Sequence, residues 1–237
     1  MAKAGDKLYN PVQGDSLVFW RTARDSGGEL MSGELIVPPS VGNPLHVHPL
    51  QEEHFEVLSG TFWVQIGAEQ RSLSEGEEAT VPPGTPHRWF NEDGQREARV
   101  SVELRPALNS ETFFETAYGL ARDSKTDENG VPNILQHAVT LSGINRGEIY
   151  LASPPVAVQK VFLAALAPVG RLLGYKDHYP KYSAADGMGG DGPPSTASVL
   201  TKAAALVGGL VVASSFLIGK TRRRSKGYVL GYSNLRR

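Results

Sequence analysis

Between residues 15 and 105, glycine or proline interrupts the chain about every 8 to 12 residues. The pieces between have strand character: SLVFWRT (16–22), GELIVPP (33–39), HFEVLSG (54–60), TFWVQIG (61–67), EATVPPG (78–84), PHRWF (86–90) and ARVSVEL (98–104). Many short strands at even spacing predict a β-sandwich or barrel. In HFEVL the alternation puts Phe55 and Val57 on one face and His54 and Glu56 on the other.

The pattern changes near Asn109. In SETFFETAYGLARD (110–123), Phe113, Phe114, Ala117, Tyr118 and Ala121 recur at helical spacing, and Ser110 is the expected N-cap. VPNILQHAVTLSGI (131–144) places Pro132 where a first helical turn tolerates it. PPVAVQKVFLAALAPVGRLLGY (154–175) carries an apolar stripe at Val158, Val161, Phe162, Ala165, Leu166, Val169, Leu172 and Leu173. Pro168 should kink that helix and Gly174 should cap it. These helices are expected to cover the barrel or to build a dimer interface, and the last is apolar enough to lie in a membrane interface.

DGMGGDGPPST (186–196) has the composition of a flexible linker. The 17 residues AAALVGGLVVASSFLIG (203–219) contain no charge and are flanked by Lys202 and Lys220. As a helix they reach roughly 25 Å, close to a hydrocarbon core. Seven basic residues and no acid follow from Lys220 to Arg237. A glycine-rich linker, one span and a basic tail predict a C-terminal membrane anchor. The polar stretch from Met1 to Asn10 does not read as a secretory signal, so the preceding domain is expected in the cytosol, although a basic tail would itself favour the cytosolic side. The alternative is a soluble cytoplasmic protein.

The 237 residues carry a formal net charge of −1, which suggests no nucleic-acid partner. The absence of cysteine excludes disulfides and thiolate metal sites. Chemistry concentrates instead in HVHPLQEEHFEVLSG (46–60). On a strand His46 and His48 share a face about 7 Å apart, and a turn can bring a nearby acid to meet them. Two imidazoles and a carboxylate suit iron, manganese, nickel, copper or zinc. A histidine pair on a wet face has the same spacing.

A second segment completes the pattern. Gly76, Pro82, Gly84, His87 and Asn91, separated by five, one, two and three residues, resemble the second motif of the cupin family. His46, His48, Glu53 and Gly60, separated by one, four and six residues, resemble the first. One position departs: Gly42 precedes His46 by three intervening residues where the family usually has five. The resemblance covers about residues 28 to 105.

The resemblance implies a mainly β fold, a small jelly-roll barrel holding one divalent metal on His46, His48, Glu53 and His87. Such a ligand set leaves two octahedral positions for water, substrate or dioxygen. The organisation expected is a cupin barrel over 10–108, a helical extension over 109–183, a linker over 184–198, a transmembrane helix over 199–220 and a basic tail over 221–237. The function expected is a metal-binding cupin, an enzyme of dioxygenase or isomerase type that acts on a small organic molecule with Fe or Mn, or with Ni, Cu or Zn. The alternative is a non-catalytic module that binds or senses a small molecule. A homodimer is the other partner to consider. Glu52 and His54 are expected in solvent, His137 and His178 as structural residues, Arg88 outward, and one or two of Phe62, Trp63, Trp89 and Phe90 at the pocket.

Overall fold

The structure is a computed structural model that describes residues 2–144, 148–183, 193 and 198–203. The chain divides into two compact units, Met1–Pro193 and Pro194–Arg237. In the second, only the helical residues 198–203 are described. The expected transmembrane helix beyond residue 203 and the basic tail lie outside the described residues. So does the linker except for residues 193 and 198.

Eleven strands and four helices make up the first unit: β1 Lys7–Tyr9, β2 Ser16–Arg21, α1 Ala23–Ser26, β3 Met31–Val37, β4 His46–Val47, β5 Glu52–Ser59, β6 Thr61–Ile66, β7 Glu69–Ser74, β8 Glu78–Val81, β9 His87–Phe90, β10 Ala98–Arg105, α2 Ser110–Arg122, α3 Ile134–Gly143, β11 Tyr150–Leu151 and α4 Val156–Leu173. Two sheets form, in the orders β1-β2-β3-β10-β5-β8 and β11-β4-β9-β6-β7. All named pairings are antiparallel, as expected of a cupin-like fold.

Alternation decides what each strand buries. Along β5, Glu53, Phe55 and Val57 are buried, and Glu52, His54 and Glu56 are partly exposed. Phe55 from the first sheet meets Phe62 of β6 from the second, with ring centroids 5.4 Å apart. Phe19, Met31, Val37, Val64, Leu73, Val100 and Leu104 complete the core between the sheets. Burying a side chain of that size contributes roughly 1.5–3 kcal/mol, so this layer dominates the sheet-to-sheet contact.

Seven strands lie where the sequence places them. β1, β4, β7 and β11 do not stand out in it, and each for a physical reason. β4 and β11 have two residues each, too few to alternate. β7 is an edge strand in which Leu73 alone is buried, so it reads as polar. At the end of β2, Thr22 leaves the strand and becomes the N-cap of α1 in a capping box with Asp25.

Three helical expectations change. Ser110 is not the cap of α2: Asn109 occupies that position, and the Ser110 hydroxyl donates to the Ala107 carbonyl. α3 starts later than Pro132, because the Asn133 side chain accepts from Gln136 N and caps it. α4 ends at Gly174 as expected, in the left-handed conformation at φ 98°, and runs as one helix through Pro168. Its faces, however, are reversed. Gln159, Leu163, Ala167, Gly170 and Leu173 are buried, and most of the expected stripe points outward, with Val161 73% and Leu172 65% exposed. Close packing explains the choice. At Gly170 a Cβ would meet Val139 Cγ2 at 2.6 Å and the Leu135 carbonyl at 2.9 Å, so α3 docks where α4 has no side chain. Gln159 is buried because its amide donates to the Leu151 and Pro154 carbonyls. Among the described residues α4 is the one helix long and apolar enough to cross a membrane by length and composition.

The reversal gives a direct test. Leu163→Ala should cost about 2–5 kcal/mol as a cavity in a packed core. Val161→Ala should stay within about 0.5 kcal/mol, as for an exposed site. Denaturant unfolding of both variants checks the order; the opposite order would restore the expected stripe to the interior.

Candidate metal centre

β4 and β9 pair with His46 directly opposite His87. Opposed residues on one face bring their Cβ atoms to about 5 Å, and the two ring centroids stand 4.2 Å apart. His48, two residues on, returns to the same face, with its centroid 5.0 Å from His46 and 5.4 Å from His87. Glu53 comes from the other sheet, on the inward face of β5. The four side chains therefore meet between the sheets. All are buried, from 1% exposure at His87 to 7% at His48, which keeps bulk water from competing for them.

The turn between β8 and β9 aims His87. Thr85 N donates to the Pro82 carbonyl, closing a four-residue turn with Gly84 in its third position at φ 79°. A type II turn needs a positive φ there, which glycine supplies. Gly84 N in turn donates to the His48 carbonyl at 2.8 Å, tying the turn to the strand of the other histidines.

Each ring is then oriented by a carbonyl. His46 Nδ1 donates to Pro44 O at 2.9 Å, His48 Nδ1 to Glu148 O at 2.9 Å and His87 Nδ1 to Thr85 O at 2.8 Å. A carbonyl only accepts, so each Nδ1 carries a hydrogen and each neutral ring keeps its lone pair on Nε2. Anchoring of this kind fixes the tautomer of a metal-binding histidine. His87 Nε2 lies 2.7 Å and His48 Nε2 3.7 Å from Glu53 Oε2.

One donor atom from each of His46, His48, Glu53 and His87 lies within 4.8 Å of all the others. Metal bonds of about 2.1 Å would put donors about 3 Å apart when adjacent and about 4.2 Å apart when opposite. The cluster fits one ion after drawing in by a few tenths of an ångström. Three imidazoles and a carboxylate are a donor set for a borderline transition metal.

The electrostatics point the same way. Burial holds His46 down to about 3, helped by the neighbouring His87 and opposed by Glu53. Burial also lowers His48. Both rings are thus neutral and able to ligate. Burial pushes Glu53 up, but the hydrogen bond from His87 and the three imidazoles outweigh it and leave the carboxyl below its ordinary value. Burial likewise pushes His87 down, but the hydrogen bond and charge of Glu53 and the Thr85 carbonyl prevail and raise it above 6.5. Without a metal, His87 holds the proton that faces Glu53.

His46, His48 and Glu53 open onto a cavity of about 280 Å³. Its walls are largely apolar: Leu104, Phe113, Phe114 and Ala117 on one side, Leu141, Ile149 and Tyr150 on another, with Trp89 between. Of the four aromatics considered from sequence, Trp89 lines the cavity. Phe62 is core, and Trp63 and Phe90 stack on each other at 6.0 Å. Arg88 is exposed, with its guanidinium over Phe90. Glu52 is partly exposed, and His54 is bonded to Thr80. His178 is bonded to Asp177 in an exposed position.

Three contributors have no signal in the motifs. The Glu148 carbonyl that orients His48 belongs to the helical extension. His137 of α3 lines the cavity, makes no hydrogen bond among the described residues and is kept below its ordinary pKa by burial. Gln51 lies between the ligand positions. Its Nε2 donates to Pro106 O, Ala107 O and Ser110 Oγ, which fixes the amide and leaves Oε1 buried without a hydrogen bond. That oxygen still lies near enough to His48 to favour its protonated form. A glutamine among acids in a sequence announces none of this.

Two outcomes are expected. Metal must displace the His87 proton, so affinity should fall as pH falls toward and below the raised His87 pKa. The loss should be roughly tenfold per pH unit for each proton released. Chelator competition from pH 8 to pH 6 measures it, and a flat profile would contradict the protonated His87. Gly84→Ala adds a Cβ that meets no atom within 4 Å, so its cost is backbone strain alone, about 1–3 kcal/mol. It should also weaken metal binding by shifting the Thr85 carbonyl, whereas Gly67→Ala, also at positive φ with open space around it, should leave metal binding intact.

Residues 33–103 match the cupin domain family. An oxidoreductase of Arthrobotrys oligospora is 29% identical over 153 residues, 59% of this chain and 59% of that protein. The probable oxidoreductase virH of Hypocrea virens is 31% identical over 153 residues, 60% of this chain and 68% of that protein. The chain thus spans about three-fifths to two-thirds of the length of these fungal relatives. A Thermus thermophilus protein of solved structure is 24% identical, with 41% of this chain and 88% of that chain covered at a TM-score of 0.35. With both sequence motifs, the facing sheets and the family match in agreement, the chain belongs to the cupin superfamily.

Proposed function

We propose that this cupin is a metal-dependent oxidoreductase of oxygenase type that acts on a small, largely apolar organic molecule. The observation that carries the reading is the convergence of three carbonyl-anchored imidazoles and Glu53 on one wall of a buried, mostly apolar cavity. The names of the two fungal relatives as oxidoreductases agree with it.

His46, His48, Glu53 and His87 would hold the ion, with Fe(II) or Mn(II) the best match to the reaction class. A bound ion would supply Lewis acidity and, with dioxygen, one-electron chemistry. The rest is the work of the chain. Phe113, Phe114, Trp89 and Leu141 exclude water and hold an apolar body beside the centre. His137, neutral and without a partner, is placed to take a proton from a bound molecule. Gln51 Oε1 can accept a hydrogen bond from a group held at the metal.

We also propose that residues 199–220 tether the domain to a membrane with the cupin in the cytosol, a reading that rests on the uncharged run 203–219. Alkaline carbonate should release the chain truncated after residue 198 and leave the full chain in the pellet; release of both would end that reading.

The metal proposal is tested on the full chain purified without chelator. About one equivalent of Fe or Mn is expected, lost in a His46→Ala, His87→Ala double variant. Nitric oxide, added without air to the Fe(II)-loaded protein as a dioxygen surrogate, should give an electron paramagnetic resonance signal. Equal trace metal in both proteins would sink the metalloenzyme reading. Bound metal with no nitric oxide signal would favour a binding module over an oxygenase.

A further inference from the structure

We propose that the Asp15–Tyr118 pair forms a second recognition point in the cavity, a hydrogen-bond acceptor that selects an apolar molecule bearing a hydroxyl group. The proposal deepens the functional reading by naming a feature of the substrate, and it rests on this cavity being the substrate pocket.

Three buried side-chain oxygens lack a hydrogen bond among the described residues: Asp15 Oδ1, Gln51 Oε1 and Thr126 Oγ1. Two of them belong to residues that line this one cavity. A buried acceptor left without a partner costs about 1–3 kcal/mol. Such groups are rare in a folded chain and call for a reason. Gln51 lies beside the metal ligands. Asp15 belongs to a different part of the wall, shared with Asn10, Gln13 and Tyr118, and is no part of the four-residue cluster.

The Asp15 position is built rather than accidental. Asp15 is 2% exposed. It ends a turn closed by Asn10 N donating to Asp15 O and Gly14 N donating to Asn10 O. The Asn10 side chain accepts from Val12 N and Gln13 N, which pins the same turn. Tyr118 of α2, also buried, donates its hydroxyl to Asp15 Oδ2. Burial, together with the charge and hydrogen bond of Asp15, holds the Tyr118 pKa well up, so the phenol stays a donor. One carboxyl oxygen is therefore occupied and the other is left open. The Asp15 backbone and the Asn10 side chain lie close enough to lower the Asp15 pKa in part, yet neither makes a hydrogen bond to Oδ1, and burial raises the group overall. Among the described residues no cation pairs with Asp15. A carboxylate in an apolar wall with no counter-charge is a poor structural device, because hydrophobic replacement of buried charge is often neutral or stabilising. It is a sound recognition device: a site that hydrogen-bonds a hydroxyl rejects the analogue that lacks one by far more than a hydrophobic pocket can.

The test uses the full chain freed of metal, so that the probe has no metal to bind. The probes are 2-naphthol and 2-methylnaphthalene, which differ by hydroxyl against methyl, with binding read by calorimetry. The native chain should prefer the naphthol by about tenfold or more, as for a hydrogen bond to a charged group. In Asp15→Asn the Tyr118 hydroxyl still needs an acceptor. The amide oxygen takes it and the NH₂ turns to the cavity, so the preference should collapse while the thermal midpoint and metal content hold. Tyr118→Phe keeps both carboxylate oxygens and should keep the preference; a merely structural pair would make the two variants behave alike. Equal affinity for the probes, no binding of either, or a preference that survives Asp15→Asn would each overturn the proposal. Because no metal takes part, a failed metal measurement leaves this result standing, and the reverse is also true.

Discussion

Three hydrogen bonds from imidazole Nδ1 to backbone carbonyls decide what this fold can do. A histidine ring free to rotate presents either nitrogen. One anchored at Nδ1 presents Nε2 alone, and all three anchored rings face Glu53. Each carbonyl belongs to a different structural context: Pro44 ahead of β4, Thr85 in the glycine turn before β9, and Glu148 in the extension. The strands alone would bring His46 opposite His87. The orientation of the donor atoms needs all three contexts to be in place at once.

The extension is thus part of the site and not a lid added to a finished barrel. Val47 points away from the ligands on either side of it and packs with Ala138, Leu141, Tyr150 and Leu163. β11 pairs with β4 so that Leu151 lies opposite His46 and Tyr150 opposite Val47. The same two-residue strand therefore carries a ligand toward the sheets and an anchor toward the helices. A fault in the packing of α3 on α4 would be felt at His48 through the Glu148 carbonyl.

Much of this could be read from the residues, and the failures share a cause. Seven strands were visible because Phe55, Val57, Phe62, Val64 and their counterparts alternate with polar neighbours. β7 was invisible because an edge strand buries one residue, and β4 and β11 because two residues have no period. Glu53 could be separated from Glu52 by its parity with Phe55 and by the motif spacing. α4 misled because it is apolar on both faces. Its packing face was chosen by Gly170 and Ala167, where absence of side chain admits α3, and hydropathy gives no weight to an absence. Gln51 and His137 were unreadable for a related reason. Their significance lies in what does not touch them, and an unpartnered atom has no sequence pattern.

The division of labour across the chain follows from these facts. The segment that matches the cupin family, 33–103, contains all four candidate ligands. The cavity beyond them is walled largely by residues outside that segment, including Asp15 ahead of it and Phe113, Phe114, Tyr118, His137 and Leu141 after it. Ligands to an ion are constrained to a few tenths of an ångström, and a two-sheet scaffold with register-paired strands provides that rigidity. Walls that choose a molecule need only shape and a few placed polar groups, and helices hung on the scaffold can vary without disturbing the donors. On that view the metal chemistry of this protein belongs to its sheets and its selectivity belongs to the helices, with Gln51 the link between them: its amide is held by Pro106, Ala107 and Ser110 at the start of the extension, and its free oxygen faces the metal-binding end of the cavity.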